Sequence, residues 1–344
     1  MYDLIIIGSS PICILEAVNR SKNGEKVLII EKNDYIGGAW SCLNIFGGED
    51  VENAIHYLLP NTEGINFLKK NLGIKIVKSN FKYRVFKVSS LGYIYLHYDN
   101  IFSRILDKLI NNSLDWSTIK DSFLNRKKSF YFKNGSPDFM KKVKSLLDNS
   151  NVKVRLNCKI EKFLFENKKV SLFTNNKHIF KSKRVLLTNG SRLENVFKNN
   201  RKIKILEKFQ PRPCVHLFVS DATPQKIKEA IFVNDSLIKY VHEISSFAKG
   251  NFKNKKIFVF ALKHEIKEKT YIYDELLNIL KKAKICDSSA KLIETKWTDV
   301  ILPPLFNEDL DRFEKEIGQQ LITLKTESLS EAFGANSKRW NSIK

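Results

Sequence analysis

The sequence predicts an α/β protein of two domains, one built around a parallel sheet and the other around a mixed sheet. Three stretches lead to this prediction. Residues 1–31 have the pattern of a strand–helix–strand unit, and residues 134–190 combine a helix with several strands. Residues 211–284 carry apolar strands and two amphipathic helices, predicted at residues 225–231 and 274–284. The chain has 344 residues, 43% of them apolar, which suits two cores at about 150 residues per domain.

The first unit is a βαβ crossover. Leu4 to Ile7 is an apolar run that ends at Gly8, as expected of a strand buried on both faces in a parallel sheet. A helical pattern extends to about Ser21 and stops at Asn23-Gly24. A second buried strand, residues 26–30, ends at Glu31.

The turn of this unit has the chemistry of a dinucleotide site. A tight turn presents backbone N–H groups at a helix N-terminus to a pyrophosphate, and an acidic residue at the tip of the next strand binds a ribose hydroxyl. Glu31 follows Gly8 by 23 residues, close to the expected spacing of about 20. Ser10 and Cys13 replace the second and third glycines of the usual pattern. The predicted turn consists of Gly8, Ser9, Ser10, Pro11 and Ile12.

A glycine doublet follows shortly after Glu31, in the segment Gly37-Gly38-Ala39-Trp40. An acidic strand tip followed by such a doublet resembles the N-terminal signature of flavoproteins with two dinucleotide-binding domains, and most closely the group of amine oxidases, protoporphyrinogen oxidases and UDP-galactopyranose mutases. The resemblance implies an FAD-binding Rossmann-type domain in which the doublet passes close to the pyrophosphate and ribityl of FAD. An arginine commonly follows the doublet in that group. Ala39 stands there in this chain, and Lys32 is the candidate substitute.

The resemblance continues in residues 134–190, which are similar to the second FAD segment of that group. Ser136 is predicted to cap a helix that has Pro137 in its first turn. Strands are predicted at residues 152–156, 170–174, 178–180 and 184–188. By resemblance, Ile160 contacts the adenine through its backbone, and Gly190 forms the turn that closes the segment.

The resemblance also implies a discontinuous domain arrangement. Residues 1–80, 135–195 and 306–344 are assigned to the FAD-binding domain. Residues 81–134 and 196–305 are assigned to a mixed-sheet α+β substrate domain.

His56 is the candidate for a residue beside the flavin. It lies within residues 47–57, a segment that by resemblance crosses beside the isoalloxazine ring, and members of the group that resemble the mutases carry a histidine near here. A neutral imidazole there could tune the flavin or contact the substrate. The other five histidines are expected to have structural roles.

The C-terminus departs from the pattern of the group. A strand is predicted at residues 320–324, but Lys325-Thr326-Glu327 stands where a Gly-Asp pair is usual. Ser328 to Glu331 has the spacing of a capping box, so a last helix is expected to begin there, with its N-terminus toward the flavin.

Charge and cysteine content narrow the protein class. The net charge is +22, but the 59 basic residues are 48 Lys and 11 Arg spread along the chain. This favours compositional drift over a nucleic-acid groove, which would favour clustered arginines and stacking aromatics, and it leaves open a basic cleft for an anionic small molecule. Five scattered cysteines suggest neither a zinc site nor a disulfide framework, which indicates a reducing cytoplasm. No apolar run is long enough to span a bilayer, and no metal site is expected.

We therefore expect an FAD-dependent oxidoreductase of the amine-oxidase-like group that acts on a small molecule by hydride transfer to flavin. A UDP-galactopyranose mutase-like enzyme acting on a sugar nucleotide is the first alternative. A non-catalytic nucleotide-binding protein is the second, because the glycine pattern is eroded and the Gly-Asp pair is missing.

Overall fold

The computed structural model describes the backbone of most of the chain. The described residues are 1–53, 56, 58, 61–78, 83–89, 92–96, 130–188, 191, 195–203, 213–221, 229–233, 235–245, 248–263, 271–298, 307–324 and 329–340.

Helices and strands are numbered here in chain order. The described helices are α1 (Pro11–Lys22), α2 (Thr62–Lys70), α3 (Ser136–Asp148), α4 (Ile272–Lys282), α5 (Asn307–Ile317) and α6 (Leu329–Asn336). The described strands are β1 (Tyr2–Ile7), β2 (Val27–Ile30), β3 (Cys42–Ile45), β4 (Gly48–Glu52), β5 (Ile76–Lys78), β6 (Tyr83–Ser89), β7 (Gly92–Leu96), β8 (Phe130–Phe132), β9 (Lys153–Arg155), β10 (Ile160–Glu166), β11 (Lys169–Thr174), β12 (Ile179–Thr188), β13 (Val196–Lys198), β14 (Arg201–Ile203), β15 (Cys214–Ser220), β16 (Glu229–Val233), β17 (Ile238–Glu243), β18 (Lys255–Leu262), β19 (Lys291–Thr298) and β20 (Leu321–Leu324).

The first sheet confirms the predicted parallel core. Strands β20, β12, β1, β2 and β9 run parallel in that order, and Leu4 on β1 pairs with Val27 on one side and Arg184 on the other. The antiparallel meander β10-β11-β12 continues the sheet toward β13 and β14. Because parallel strands are covered on both faces, β1 and β2 are apolar at consecutive positions.

Two hydrophobic layers enclose this sheet. Leu4 and Ile6 pack on one face against α1 and α3. Ile5 and Leu28 pack on the opposite face, where Phe163 of the meander covers them. Alternate side chains of a strand point to opposite faces, so this short run supplies both layers.

Helix α1 begins and ends close to the predicted positions. Ser10 is its N-cap and Pro11 occupies the first turn, where the missing proline N–H has no helical partner. The helix ends at Lys22, and Asn23 follows as the C-cap. Gly24 then has φ +85°, a left-handed value that glycine adopts without strain.

The second sheet belongs to the predicted mixed-sheet domain. Its strand order is β19-β15-β18-β17-β16-β6-β7, with all described pairs antiparallel except β16 with β6. Helix α4 packs Leu276 and Leu280 onto one face, against Val215 and Phe260. The opposite face packs on the β3-β4 hairpin and on Tyr131 of β8.

The C-terminal segment returns to the first domain. Strand β20 pairs with β12, and α6 packs against α2. The fully buried Trp340 donates its indole N–H to the buried carboxylate of Glu16 on α1, and Arg339 forms an ion pair with the same carboxylate. Residues 325–328, which carry the expected departure from the Gly-Asp pair, lie outside the described residues.

The structure corrects three local predictions. Gly135, with φ 79°, is the N-cap of α3 and offers no side-chain cap, and Ser136 is the first helical residue, whose N–H donates to the carboxylate of Glu52. The strand predicted at 178–180 is the start of the single long strand β12. A helix predicted at residues 225–231 is wrong where it is described, since Glu229–Val233 forms strand β16 and pairs with β6 and β17.

The pairing of strands in the two sheets can be compared with the domain bounds predicted from the sequence. Strands β6 and β7, from the predicted insertion, lie in the second sheet. Residues 196–203 were assigned to the substrate domain from the sequence, but strands β13 and β14 pair with the first sheet.

Candidate functional site

The two glycine-containing loops predicted to bind a dinucleotide form one hydrogen-bonded unit. Ser9, after β1, donates its backbone N–H at 2.9 Å and its hydroxyl at 2.7 Å to Oε2 of Glu31, after β2. The Gly37 N–H in turn donates to the Ser9 carbonyl at 3.0 Å and to its hydroxyl oxygen at 3.1 Å. Ser9, Glu31 and Gly37 therefore meet at the carboxyl edge of the parallel sheet, where ligands bind in open α/β sheets.

The backbone at this edge is open to a ligand at two glycines. Gly8 has φ +92° and Gly38 has φ +57°, and no heavy atom lies within 4 Å of the position that a Cβ would occupy at either. Gly37, with φ +104°, is different, because a Cβ there would lie 2.7 Å from Cε of Met140. The doublet thus has one glycine facing open space and one packed against α3.

Cys13 and Ser10 occupy the places of the two missing glycines. Cys13 is 1% exposed and packs between α1 and the sheet, so its small side chain permits the close contact expected there. Burial raises the pKa of its thiol to about 11, which keeps it protonated. Ser10 caps α1, and its hydroxyl lies 3.2 Å from the Cys13 sulfur.

Most acceptor positions of the Glu31 carboxylate are occupied by hydrogen-bond donors of the protein itself. Beside the two bonds from Ser9, Oε1 accepts the Asn33 N–H at 2.9 Å, and the side chain is 5% exposed. A carboxylate oxygen can accept two hydrogen bonds, so Oε1 retains one acceptor position. The Cys158 N–H donates to the Glu31 carbonyl, which brings the start of β10 and the buried Ile160 toward the same edge.

His56 lies against the residues that follow the glycine doublet. Its ring stacks on the buried Trp40 with centroids 3.9 Å apart and an interplanar angle of 16°. Its Nε2 lies 2.8 Å from the carbonyl oxygen of Ala39. A carbonyl only accepts, so Nε2 carries the proton and Nδ1 is an acceptor. Burial lowers the pKa of His56 to about 4, with His242 adding to the effect, so the imidazole is neutral at pH 7.

The second sheet contributes residues that the sequence analysis assigned to structural roles. On β15, Val215 and Leu217 face α4, so His216 between them faces the first domain, and His242 on β17 does so by the same alternation. The Nε2 atom of His216 donates to the Glu52 carbonyl oxygen at 3.1 Å, and burial lowers the pKa of His216 to about 4. The sequence carries a signal for this placement, because His216 and His242 each alternate with apolar residues of a buried strand.

A buried acid, Glu52, was missed by the sequence analysis. It ends β4, is 1% exposed, and accepts hydrogen bonds from the Tyr131 hydroxyl and from the Ser136 N–H. The adjacent Asn53 donates its amide to the Ser41 hydroxyl at 3.0 Å. The partners of Glu52 lie 79 and 84 residues away in sequence, so no local pattern indicates them.

Lys32 and Gly190 are the remaining candidates from the sequence. Lys32 is exposed at the tip of β2, and Gly190 lies outside the described residues. A cavity of about 310 Å³ is lined by Arg155, Leu156, Cys158, Asn176, His178 and Phe180, and backbone hydrogen bonds join Arg155 and Cys158 to Glu31. Among the described residues, no cluster of His, Cys, Asp or Glu side chains could hold a metal ion. The described helices include none with the length and apolar character needed to cross a bilayer.

The described residues fit an FAD at the carboxyl edge of the first sheet. Gly8 and Gly38 leave room for close approach to their backbone, α1 offers its N-terminus, and Glu31 has an acceptor position left. Within the described part of the chain, Oδ1 of Asn53 is buried without a hydrogen-bond partner, as an acceptor for a ligand donor would be.

Solved structures with the same fold include two amine oxidases. Cyclohexylamine oxidase from Brevibacterium oxydans IH-35A superposes with a TM-score of 0.67 at 11% identity, covering 99% of this chain and 98% of that chain. A putrescine oxidase variant gives 0.64 at 12% identity with the same coverage. The chain has the fold of these amine oxidases.

The amine oxidase fold also occurs in a protein named for a non-oxidase reaction. A fatty acid isomerase from P. acnes superposes with a TM-score of 0.63 at 10% identity, covering 98% of this chain and 97% of that chain. At these identities the likeness concerns the fold, and the reaction has to be inferred from the site. No protein-family model and no curated protein matches the sequence.

Proposed function

We propose that the protein is an FAD-dependent oxidoreductase that oxidises a small molecule. The observation that carries the proposal is the hydrogen-bonded unit of Ser9, Glu31 and Gly37, which joins the two loops that would hold the FAD pyrophosphate. When bound, FAD supplies an acceptor for a hydride from a C–H bond of the substrate.

The chain itself supplies binding and orientation. Gly8, Gly38 and the N-terminus of α1 bind the diphosphate, and Glu31 accepts a ribose hydroxyl through Oε1. Ile160 remains the candidate for the adenine contact. Gly190 remains the candidate for the turn that closes the second FAD segment. The substrate lies between the domains, where the neutral His56 presents an acceptor at Nδ1 and Trp40 supports its ring.

The five cysteines are all free, which supports a reducing compartment, and we place the protein in the cytoplasm.

The first test is the visible spectrum of the purified full-length protein, with release and mass identification of the bound group. We expect a flavin spectrum and FAD. A colourless protein that binds no added FAD, or one that holds a different group, contradicts the proposal. Reduction of the flavin by an amine under anaerobic conditions is the expected sign of oxidase chemistry.

The second test addresses Glu31. Glu31→Ala removes the acceptor for the ribose, so we expect the FAD content to fall at least tenfold, while Glu31→Gln retains one acceptor oxygen and part of the binding. The control is Glu63→Ala, which changes an exposed glutamate in the first turn of α2. Circular dichroism checks that each variant is folded. Unchanged FAD content in a folded Glu31→Ala contradicts the assignment.

A mutase-like reaction on a sugar nucleotide is the second candidate. The net charge of +22 favours an anionic substrate, and a neutral histidine beside the flavin suits this reaction as well. Binding of a UDP-sugar that strengthens when the flavin is reduced would favour this candidate over the oxidase.

A further inference from the structure

Glu52 is a buried acid at a junction of four elements. Its Oε1 accepts the Tyr131 hydroxyl of β8 at 2.5 Å and the Ser136 N–H of α3 at 2.6 Å, and its Oε2 is also in hydrogen-bond contact with Tyr131. Its backbone carbonyl accepts the Nε2 proton of His216 from the second sheet. The hydrogen bond from Ser136 joins Glu52 of β4 to α3. The dipole of α3 favours a carboxylate at this first turn of the helix.

A continuous path of contacts connects Glu52 to His56. Asn53, the next residue, holds the Ser41 hydroxyl, and Ser41 directly follows Trp40. The Trp40 ring stacks on His56, whose Nε2 binds the Ala39 carbonyl. One hydrogen bond and the backbone therefore link Glu52 to the stacked pair.

Within the described part of the chain, no cation neutralises Glu52. The groups that face it are Tyr131 on β8, Ser136 on α3, His216 on β15 and Cys42 on β3, and no Lys or Arg among the described residues forms an ion pair with it. Burial lowers the pKa of His216, so this imidazole is uncharged at pH 7. Burial also raises the pKa of Glu52 to about 7, against the opposing effect of Tyr131 and Ser136.

We propose that Glu52 is a positioning residue whose protonation state sets the geometry of the Trp40–His56 pair. The ionised carboxylate accepts hydrogen bonds from both Tyr131 and Ser136. The protonated acid has one O–H to donate, and the hydroxyl oxygens of Tyr131 and Ser136 are the acceptors within reach. The hydroxyl that accepts this bond has to turn its own proton toward another partner. This reversal changes the hydrogen bonds that hold the end of β4. Asn53 and the stacked pair of Trp40 and His56 shift with it. An effect of this shift on substrate binding rests on the proposed function, whereas the coupling of Glu52 to Trp40 does not.

The experiment follows Glu52 and Trp40 separately in the full-length protein from about pH 5.5 to 8.5. Infrared difference spectroscopy detects the carboxylic-acid band of a protonated glutamate. Tryptophan fluorescence, with Trp40→Phe to assign the signal, reports the stack on His56. We expect both signals to change with one midpoint near neutrality in the wild type, and neither change to occur in Glu52→Gln.

The control is Glu49→Gln, an exposed glutamate on the same strand, which should retain both transitions. Tyr131→Phe provides a second variant if Glu52→Gln does not fold. It removes a hydrogen bond to the carboxylate, so the shared midpoint should move to higher pH. An infrared transition that persists in Glu52→Gln, an unmoved midpoint in Tyr131→Phe, or a flat Trp40 signal while the acid titrates would overturn the proposal. None of these signals requires flavin, so a colourless protein would contradict the proposed function without affecting this test.

Discussion

Ser9 holds Glu31 through two hydrogen bonds to a single carboxylate oxygen, one from its backbone N–H at 2.9 Å and one from its hydroxyl at 2.7 Å. The same hydroxyl accepts the Gly37 N–H. The acid expected to bind a ribose is therefore oriented before any ligand arrives. Orientation of this kind lowers the entropy that is lost on binding.

Ser9→Ala tests this orientation. The variant loses the hydroxyl bonds to Glu31 and Gly37 but keeps the backbone bond, so we expect a loss of about 1–3 kcal/mol in the free energy of unfolding. We also expect weaker FAD binding than in the wild type, because Glu31 becomes mobile. Denaturant titration and flavin fluorescence measure the two effects. The matched control is Ser145→Ala on the exposed face of α3. If Ser9→Ala is as stable as Ser145→Ala, the Ser9 hydroxyl does not stabilise this hydrogen-bonded unit.

Glu16 should be the main attachment of the C-terminal segment. Its carboxylate is fully buried and binds Arg20, Arg339 and the indole N–H of Trp340. Removing one partner of a buried charge network costs about 3–5 kcal/mol, so we expect Glu16→Ala to lower the free energy of unfolding by about that amount.

Limited trypsin digestion locates the effect of Glu16→Ala. Cleavage at Lys338 and Arg339 should become faster than in the wild type, and Glu63→Ala should leave it unchanged. If the digestion rate at these sites is the same in Glu16→Ala, the segment is held by the packing of Trp340 on Phe67 and Phe333 instead.

His216 should make the protein sensitive to acid. Burial lowers the pKa of its imidazole from 6.5 to about 4, so the folded protein holds it neutral while the unfolded chain binds a proton below pH 6.5. The resulting stability is present above pH 6.5 and is lost as the pH falls toward 4, by about 3 kcal/mol over that range. His56 adds a contribution of the same sign.

Glu52 acts in the opposite direction, because its raised pKa stabilises the fold below about pH 4.5 and this contribution is lost as the pH rises through 7. Denaturant titrations of His216→Gln from pH 7 to 4 should show a shallower decline in stability than the wild type. The exposed His178→Gln should follow the wild-type curve. A His216→Gln curve parallel to the wild type would contradict the assignment of a buried neutral imidazole.

Local patterns in the chain were sufficient for the elements of the first sheet. The apolar run ending at Gly8, the end of α1 at Asn23-Gly24 and the strand ending at Glu31 all follow from neighbours in sequence, and each was predicted. Ser136 was assigned wrongly as a cap, since the helix begins at Ser136 itself, where its N–H binds Glu52, 84 positions away in sequence. The helix predicted over residues 225–231 failed at Glu229–Ile231, since pairing with β6 and β17 decides that segment.

The sequence by itself determined the parallel α/β core and the placement of Ser9, Glu31 and Gly37 at one edge, because strand and turn preferences act over a few residues. The tertiary structure alone decided that Glu31 is braced by Ser9, that His216 and His242 face the first domain, and that Glu52 is a buried acid bound to Tyr131. Those features arise where distant segments pack together, and burial there shifts protonation in a way that no short-range pattern encodes.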